Sequence, residues 1–386
     1  MLAAAPARAR ASIDATLRAG VERRGIPCAT AVVADSRRVL YEGAFGTRDA
    51  ESRLPVKPDA IFAIASMTKA ITSMAALQLV EQKRVSLDEP AERHLPELRG
   101  RMVLDGFGPD GRARLRPPVR PVTPRHLLTH TSGLCYALWD AQARQWEESP
   151  SATEQPGVHA PLMFDPGTRW QYGQGIDVVG RLVEAVSGLT LEAYFQQHLL
   201  GPLGMRDTSF ILPPENFERR VTSYRREADG TWKPAVRRLP TPPTSFNGGG
   251  GLFSTAPDYI RFAQAVLRGG RELVQDPATF RLAVTNQTGR IRAGVLQSTD
   301  PVTSADVDTH PGASDRHTLA FVINPRAHRN GRAAGSLTWA GISNTFYWID
   351  PKRNRCAVLM MQFLPFVDAQ AVGLLGEFER AVYANM

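Results

Sequence analysis

Strand-like patterns occupy both ends of this 386-residue chain and helical patterns its middle, an arrangement that leaves few ways to fold. Near the N-terminus Ile13, Leu17 and Val21 recur every four residues, which predicts an amphipathic helix ending near Gly25-Ile-Pro27. Ala29–Asp35 and Val39–Gly46 then read as two strands joined by a polar turn at Ser36-Arg37. A helix followed by a hairpin suggests an antiparallel sheet with a helix across one face. At the other end Thr318–Ile323, Ser336–Trp339, Asn344–Ile349 and Cys356–Gln362 read as successive strands, closed by a helix over Asp368–Tyr383. Between them, helical stretches are predicted from Ile64 to Gln82, at Thr123–Leu128, at Gly175–Ser187 and at Leu191–Leu200, with Gly100–Pro124 an irregular surface connection. A proline-rich link, Leu239–Pro243, leads back toward the strands. The expected architecture is an α/β (α+β) protein in which residues 1–70 and 235–386 form one discontinuous α/β domain and residues 71–234 a mainly helical domain.

Composition narrows the function classes. No stretch approaches the roughly 20 consecutive apolar residues of a spanning helix, so no membrane partner is expected. The net charge of +8 invites a polyanion-binding reading, but its five lysines and 41 arginines are scattered along the chain. Such scatter describes a solvated surface, and no nucleic-acid partner is expected. Cys28, Cys135 and Cys356 share no ligand-like spacing and are expected to be reduced and partly buried. The first ten residues lack the apolar core of a secretory signal, which points to a cytoplasmic protein.

The sharpest local feature is Ser66-Met67-Thr68-Lys69 at the start of the long central helix. Residues three apart share a helix face, so the lysine amine reaches the serine hydroxyl. A serine is a weak nucleophile until a neighbour takes its proton, and a lysine neutralised by partial burial can assist. The same tetrapeptide also fits an N-capping serine beside a solvated lysine. About a hundred residues on, Tyr172 in Trp170-Gln-Tyr-Gly-Gln174 offers a phenol able to shuttle a proton, although a core aromatic would look alike. Near the C-terminus, Ser336-Leu-Thr-Trp339-Ala340-Gly341-Ile342 reads as a strand whose small residues would let a substrate approach backbone. Its edge can supply an N–H to an oxyanion hole beside that of Ser66.

These elements, in this order, with Leu127-Leu-Thr-His-Thr-Ser-Gly-Leu134 between the first two, resemble the serine β-lactamase-like superfamily. More narrowly, the chain is similar to the class C-related family VIII carboxylesterases and to the statin side-chain acyltransferases. The likeness runs from about Ile13 to Tyr383 and includes Met102–Phe107 with Ala113–Arg116, Gly201–Met205 and Gly251–Ser254. It implies the β-lactamase and penicillin-binding-protein fold, an antiparallel sheet flanked by helices plus an all-helical lobe. It also implies Ser66 as the acylated nucleophile, Lys69 and Tyr172 as the proton-transfer pair, and an oxyanion hole from the N–H groups of Ser66 and Ile342. Two departures bear on substrate. Trp339-Ala340-Gly341 stands where β-lactamases carry Lys-Thr-Gly, which disfavours anionic lactams against neutral acyl esters. Tyr172-Gly173-Gln174 replaces Tyr-x-Asn, so Gln174 is not expected to keep the usual contact to an acylamide. Candidate substrate-binding residues are Trp339, Gly341, Gln174 and Tyr136, with Trp139 beside the last.

Three further signals carry less. His126 and His130 have the i, i+4 spacing of a helical zinc pair, but Leu127 stands where a zincin has glutamate and no third ligand is evident, so a structural pair is expected and no metal. Gly248–Gly251 lacks the Lys-Ser/Thr of a phosphate loop and is expected to form a tight turn near the site. Gly-x-Ser-x-Gly is absent, which disfavours a Ser-His-Asp triad. The function expected is a cofactor-free serine carboxylesterase acting on neutral short- to medium-chain acyl esters as small-molecule partners. Its alternatives are an acyltransferase passing the acyl group to an alcohol, a promiscuous β-lactamase or D-alanyl peptidase, and a catalytically silent scaffold of the same fold. Oligomeric state is not legible.

Overall fold

The computed structural model describes residues 7–153 and 160–386; Met1–Pro6 of the N-terminal stretch discussed above lie outside it. The first helix, α1 (Ala7–Arg24), buries Ile13, Leu17 and Val21 on one face. It stops because Gly25 turns left-handed at φ +59°, which lets the Ile26 N–H donate back to Val21 O at 3.0 Å. The chain continues as β1 (Cys28–Ala34) and β2 (Val39–Gly46), and their turn is set by Asp35, whose carboxylate accepts from the N–H groups of Arg37 and Arg38 at 2.8 Å. Then come α2 (Thr68–Glu81), α3 (Gly175–Ser187) and α4 (Ala256–Leu267). The C-terminal strands are β3 (Arg316–His317), β4 (Val322–Ile323), β5 (Leu337–Gly341), β6 (Thr345–Asp350) and β7 (Arg355–Met360), followed by α5 (Ala369–Asn385).

The two ends of the chain meet in one antiparallel, seven-stranded sheet of order β3-β4-β5-β6-β7-β1-β2. The join is β1 against β7, with Val32 opposite Val358. Both faces of the central strands are covered, which is why β1 is buried along its whole length, Thr30 included. Ala29, Ala31, Val33, Trp348, Ala357 and Leu359 pack with α1 and α5, while Val32, Ile349, Cys356 and Val358 pack with α4 and α2. The period-two split between the two clusters follows from the pleat. The three cysteines are free and buried.

Two stretches depart from the sequence expectation. Thr318–Ile323 is not one strand: the Thr318 hydroxyl accepts from the N–H groups of Ala320 at 3.0 Å and Phe321 at 2.8 Å, closing a turn that separates β3 from β4. Within Gly100–Pro124, Val103–Phe107 and Ala113–Arg116 pair as a small hairpin, and Arg116 is tied to Asp165 at 2.6 Å. Of the prolines that argued for irregular chain there, Pro109 sits in the hairpin's turn and the others follow the second strand. No helix among the described residues is long and apolar enough to cross a membrane.

Phe378 of α5 is fully buried against Trp348 of β6. Phe378→Ala is expected to lower unfolding free energy by about 3–5 kcal/mol in a urea titration, the cost of an unfilled aromatic site. A loss under about 1 kcal/mol would mean that α5 is not a structural cover of the sheet.

Candidate active site

Ser66 lies in a single 3-10 turn, Ala65–Met67, that runs straight into α2. It does not cap the helix, for no side-chain cap bond is made at either N-terminal position. Instead its Oγ accepts from Lys69 Nζ at 3.2 Å. The residue before it, Ala65, is held in the left-handed region at φ +43°, a conformation that costs a residue with a Cβ about 1–2 kcal/mol. Neighbouring backbone enforces it: Ile64 N–H donates to Leu252 O at 3.0 Å, and the buried Tyr259 hydroxyl donates to Met67 O at 2.9 Å.

Lys69 is 4% exposed, and three oxygen atoms lie within hydrogen-bond reach of its amine nitrogen. Beside Ser66 these are Tyr136 OH at 3.3 Å and Gly249 O at 2.5 Å. Tyr136 passes its own hydrogen to Asp177 Oδ2 at 2.5 Å, and burial together with that carboxylate pushes the Tyr136 phenol well up. The glycine run is what lets these groups meet. A Cβ at Gly249 would fall 2.4 Å from Asp177 Oδ2, and one at Gly248 would fall 2.9 Å from Gly180 Cα. The turn expected from Gly248–Gly251 therefore wraps the start of α2, with Thr72 donating to Gly248 O at 2.6 Å.

Tyr172 is 2% exposed, and its hydroxyl accepts from Trp339 Nε1 at 3.3 Å. Its ring packs 4.8 Å from those of His130 and Trp339, centroid to centroid. Lys69 Nζ sits 4.8 Å from the ring centre, so lysine and tyrosine meet through the π-face and make no direct hydrogen bond. Gly173 is obligatory: a Cβ there would lie 1.9 Å from Leu134 O. That close approach docks the tyrosine segment on Leu127–Leu134, where His130 O accepts from Gln171 N at 2.9 Å.

The two histidines of the zinc-like spacing do separate structural work. His126 closes a capping box with Thr123, and His130 accepts the Gly173 N–H at 3.4 Å. No group of three metal-ligating side chains occurs among the described residues.

Strand β5 ends over the Ser66 turn. A Cβ on Gly341 would lie 2.3 Å from Ile64 O, so only glycine lets the strand come this close. Ile342 follows the last paired position and opens the turn that returns at Thr345. Gln174 is exposed and engaged through its backbone, its N–H donating to Leu134 O at 3.0 Å and its carbonyl accepting from Val178 N–H at 3.1 Å. Ser66, Lys69, Tyr136, Tyr172 and Trp339 are thus one contiguous cluster, Gly341 flanks it, and the exposed Gln174 side chain makes no hydrogen bond to any of them. Sequence reasoning missed Asp177, the Gly249 carbonyl and His317, whose ring lies 5.2 Å from that of His130. An acid in the first turn of α3 looks like an ordinary helix-dipole partner, so only the adjoining glycine run hinted at more.

A model of the "Beta-lactamase" family matches residues 13–375. The chain belongs to the β-lactamase family. Within it, the chain is 32% identical over 404 residues to monacolin J acid methylbutanoyltransferase of Aspergillus terreus, covering 99% of this chain and 98% of that one. It is 30% identical to lovastatin esterase of Penicillium rubens, with 96% and 98% covered. Among solved structures, unliganded simvastatin synthase from Aspergillus terreus superposes with a TM-score of 0.84 at 30% identity, over 98% of this chain and 99% of that one. The fold is that of β-lactamases and penicillin-binding proteins, and the chain is a serine hydrolase of the esterase and acyltransferase kind.

Burial holds the His317 imidazole down at about 4, and burial with His317 and Lys69 holds His130 well below the ordinary 6.5. The folded protein keeps both neutral where the unfolded chain binds protons, so stability is lost as pH falls from about 6.5 toward about 4. Thermal melts across that window should fall less steeply for His317→Leu than for the parent. Parallel slopes would contradict the assignment.

Proposed function

We propose that the protein is a serine carboxylesterase in which Ser66 attacks the carbonyl of a neutral short- to medium-chain acyl ester. The observation that carries this reading is the buried Lys69 amine 3.2 Å from the Ser66 hydroxyl. As the Ser66 Oγ–acyl bond forms, the hydroxyl proton passes to the Lys69–Tyr172 pair, which enters the step one proton short of an ammonium and a phenol, and the carbonyl electrons collect on an oxyanion. The N–H groups of Ser66 and Ile342 receive that charge. Collapse breaks the ester C–O bond, and the alcohol departs with the same proton, delivered by Tyr172. The Trp339 N–H occupies a lone pair of the Tyr172 oxygen, which leaves the phenol hydrogen free to be given away. Water then repeats the sequence on the acyl-serine.

Transfer to an alcohol is the second reading, and two observations favour it. Aromatic rings crowd Tyr172 on several sides, which limits water, and the relative with 32% identity bears the name of an acyltransferase. A neutral indole where β-lactamases carry a cation argues against lactams as principal substrates. The proposed compartment is the cytoplasm, in keeping with three free, buried thiols.

Wild-type protein is expected to release a burst of p-nitrophenol from p-nitrophenyl butyrate, and Ser66→Ala to abolish it. Tyr172→Phe should lower kcat by about 10²–10⁴ with little change in KM. Absence of a burst together with absence of labelling by a serine-directed phosphonate would overturn the reading. Adding a primary alcohol and weighing acyl transfer against hydrolysis separates esterase from transferase.

A further inference from the structure

The short helix Pro124–Leu128 ends in a Schellman turn, in which the Thr131 N–H donates to His126 O at 2.9 Å and the His130 N–H to Leu127 O at 3.3 Å. Such a turn needs a left-handed residue at its corner, and His130 supplies it at φ +54°. Glycine takes that position most readily, because a residue with a Cβ is strained there. A buried histidine where glycine would fit more easily raises the question of what its side chain does.

His130 holds Tyr172 in three ways. Its carbonyl oxygen accepts the Gln171 N–H at 2.9 Å, its Nδ1 accepts the Gly173 N–H at 3.4 Å, and its ring packs 4.8 Å from the tyrosine ring. The residues on both sides of the tyrosine are thus fastened to one residue. Two further bonds join the same segments, Gln174 N–H to Leu134 O at 3.0 Å and Tyr136 N–H to Tyr172 O at 3.4 Å. The His130 ring is the one side-chain acceptor of these four. Trp339 also packs 4.8 Å from the tyrosine ring and holds the phenol oxygen through its N–H. One neighbour therefore fixes the tyrosine backbone, the other its hydroxyl, and Lys69 Nζ lies 4.8 Å from the ring so held. Accepting at Nδ1 requires a free lone pair there and puts the imidazole hydrogen on Nε2. Burial, with His317 and Lys69 beside it, keeps the His130 ring neutral, so that lone pair stays available.

Resting on the reading of Tyr172 as the group that delivers a proton to the leaving alcohol, we propose that His130 is a positioning residue for that transfer. It takes no proton itself. It sets the backbone and ring of the tyrosine so that the phenol stays beside Lys69 while the ester C–O bond breaks. Without the imidazole, Gln171 stays bonded to backbone but the Gly173 side is released, so the phenol loses its aim while substrate binding is kept. A general acid matters most where the departing oxygen cannot leave as an anion. Ethoxide needs the proton, whereas p-nitrophenolate departs without it. A misplaced phenol therefore slows ethyl esters more than p-nitrophenyl esters.

The test measures kcat/KM for p-nitrophenyl butyrate and for ethyl butyrate on one sample, because the ratio of the two does not depend on how much of the protein is folded. His130→Gly suits the left-handed corner and deletes the acceptor, and it should raise the p-nitrophenyl to ethyl ratio by about tenfold or more. His130→Asn also suits that corner, and its Oδ1 can take the place of Nδ1, so the ratio should return to within about threefold of wild type. His130→Ala gives the same readout if His130→Gly does not fold. A ratio unchanged in the glycine and alanine variants, or raised as much in His130→Asn, would overturn the proposal; a purely structural role for His130 predicts the first of these. Tyr172→Phe tests the reading beneath it and should raise the ratio further. A ratio that Tyr172→Phe leaves unmoved sinks proton delivery by Tyr172, whereas one that Tyr172→Phe raises and His130→Gly does not sinks the role of His130 alone.

Discussion

The geometry around Ser66 depends on burying one amine. An amine shut away from water without partners costs several kcal/mol, so Lys69 is tolerable only where acceptors from separate segments converge on it. They arrive from its own helix through Ser66, from the segment after Leu134 through Tyr136, and from the glycine run through Gly249. Each of those segments is pinned in turn. Tyr136 is held by Asp177, the glycines pass close to Asp177 and Gly180, and Ala65 is kept in a strained conformation by Leu252 and Tyr259. The helical middle of the chain and its sheet-forming ends are thus tied at one nitrogen.

The sheet supplies the other half of the arrangement. Because β1 from the N-terminal end pairs with β7 from the C-terminal end, β5 is carried to the Ser66 turn, and Gly341 lets it touch Ile64 O. Trp339 on that strand then has two relationships. Its N–H satisfies Tyr172, and it also borders a cavity of about 650 Å³ beneath α5. A lysine at this position would present a mobile point charge. A tryptophan presents a fixed donor on a broad apolar wall, which suits neutral ester substrates.

Much of this was readable in advance, for local reasons. Ser66-Met-Thr-Lys69 is legible because i, i+3 on a helix is a contact whatever the tertiary fold. The sheet from both ends was legible because β1 and β7 are mainly apolar, broken only by Thr30 and opened by Arg355. Other features were hidden. The Thr318 turn escaped because a side-chain oxygen that closes a turn leaves no trace in hydrophobic periodicity. Tyr136 was one aromatic among several until Asp177 and Lys69 were seen on either side of it. The place of Gln174 was hidden too, because only the fold shows its backbone bridging Leu134 O and the Val178 N–H at the start of α3.

By itself, then, the sequence determined what short-range rules can carry: helix and strand periods, the serine–lysine pair, and the glycines that any close approach of backbones requires. Tertiary structure alone decided which oxygens surround Lys69, that Trp339 serves Tyr172 as a hydrogen-bond donor, and that a cavity opens between β5 and α5. Those outcomes depend on contacts between residues 67 to 180 positions apart, Lys69 with Tyr136 and with Gly249. Such contacts exist only after the sheet has closed and every buried polar group has had to find a partner.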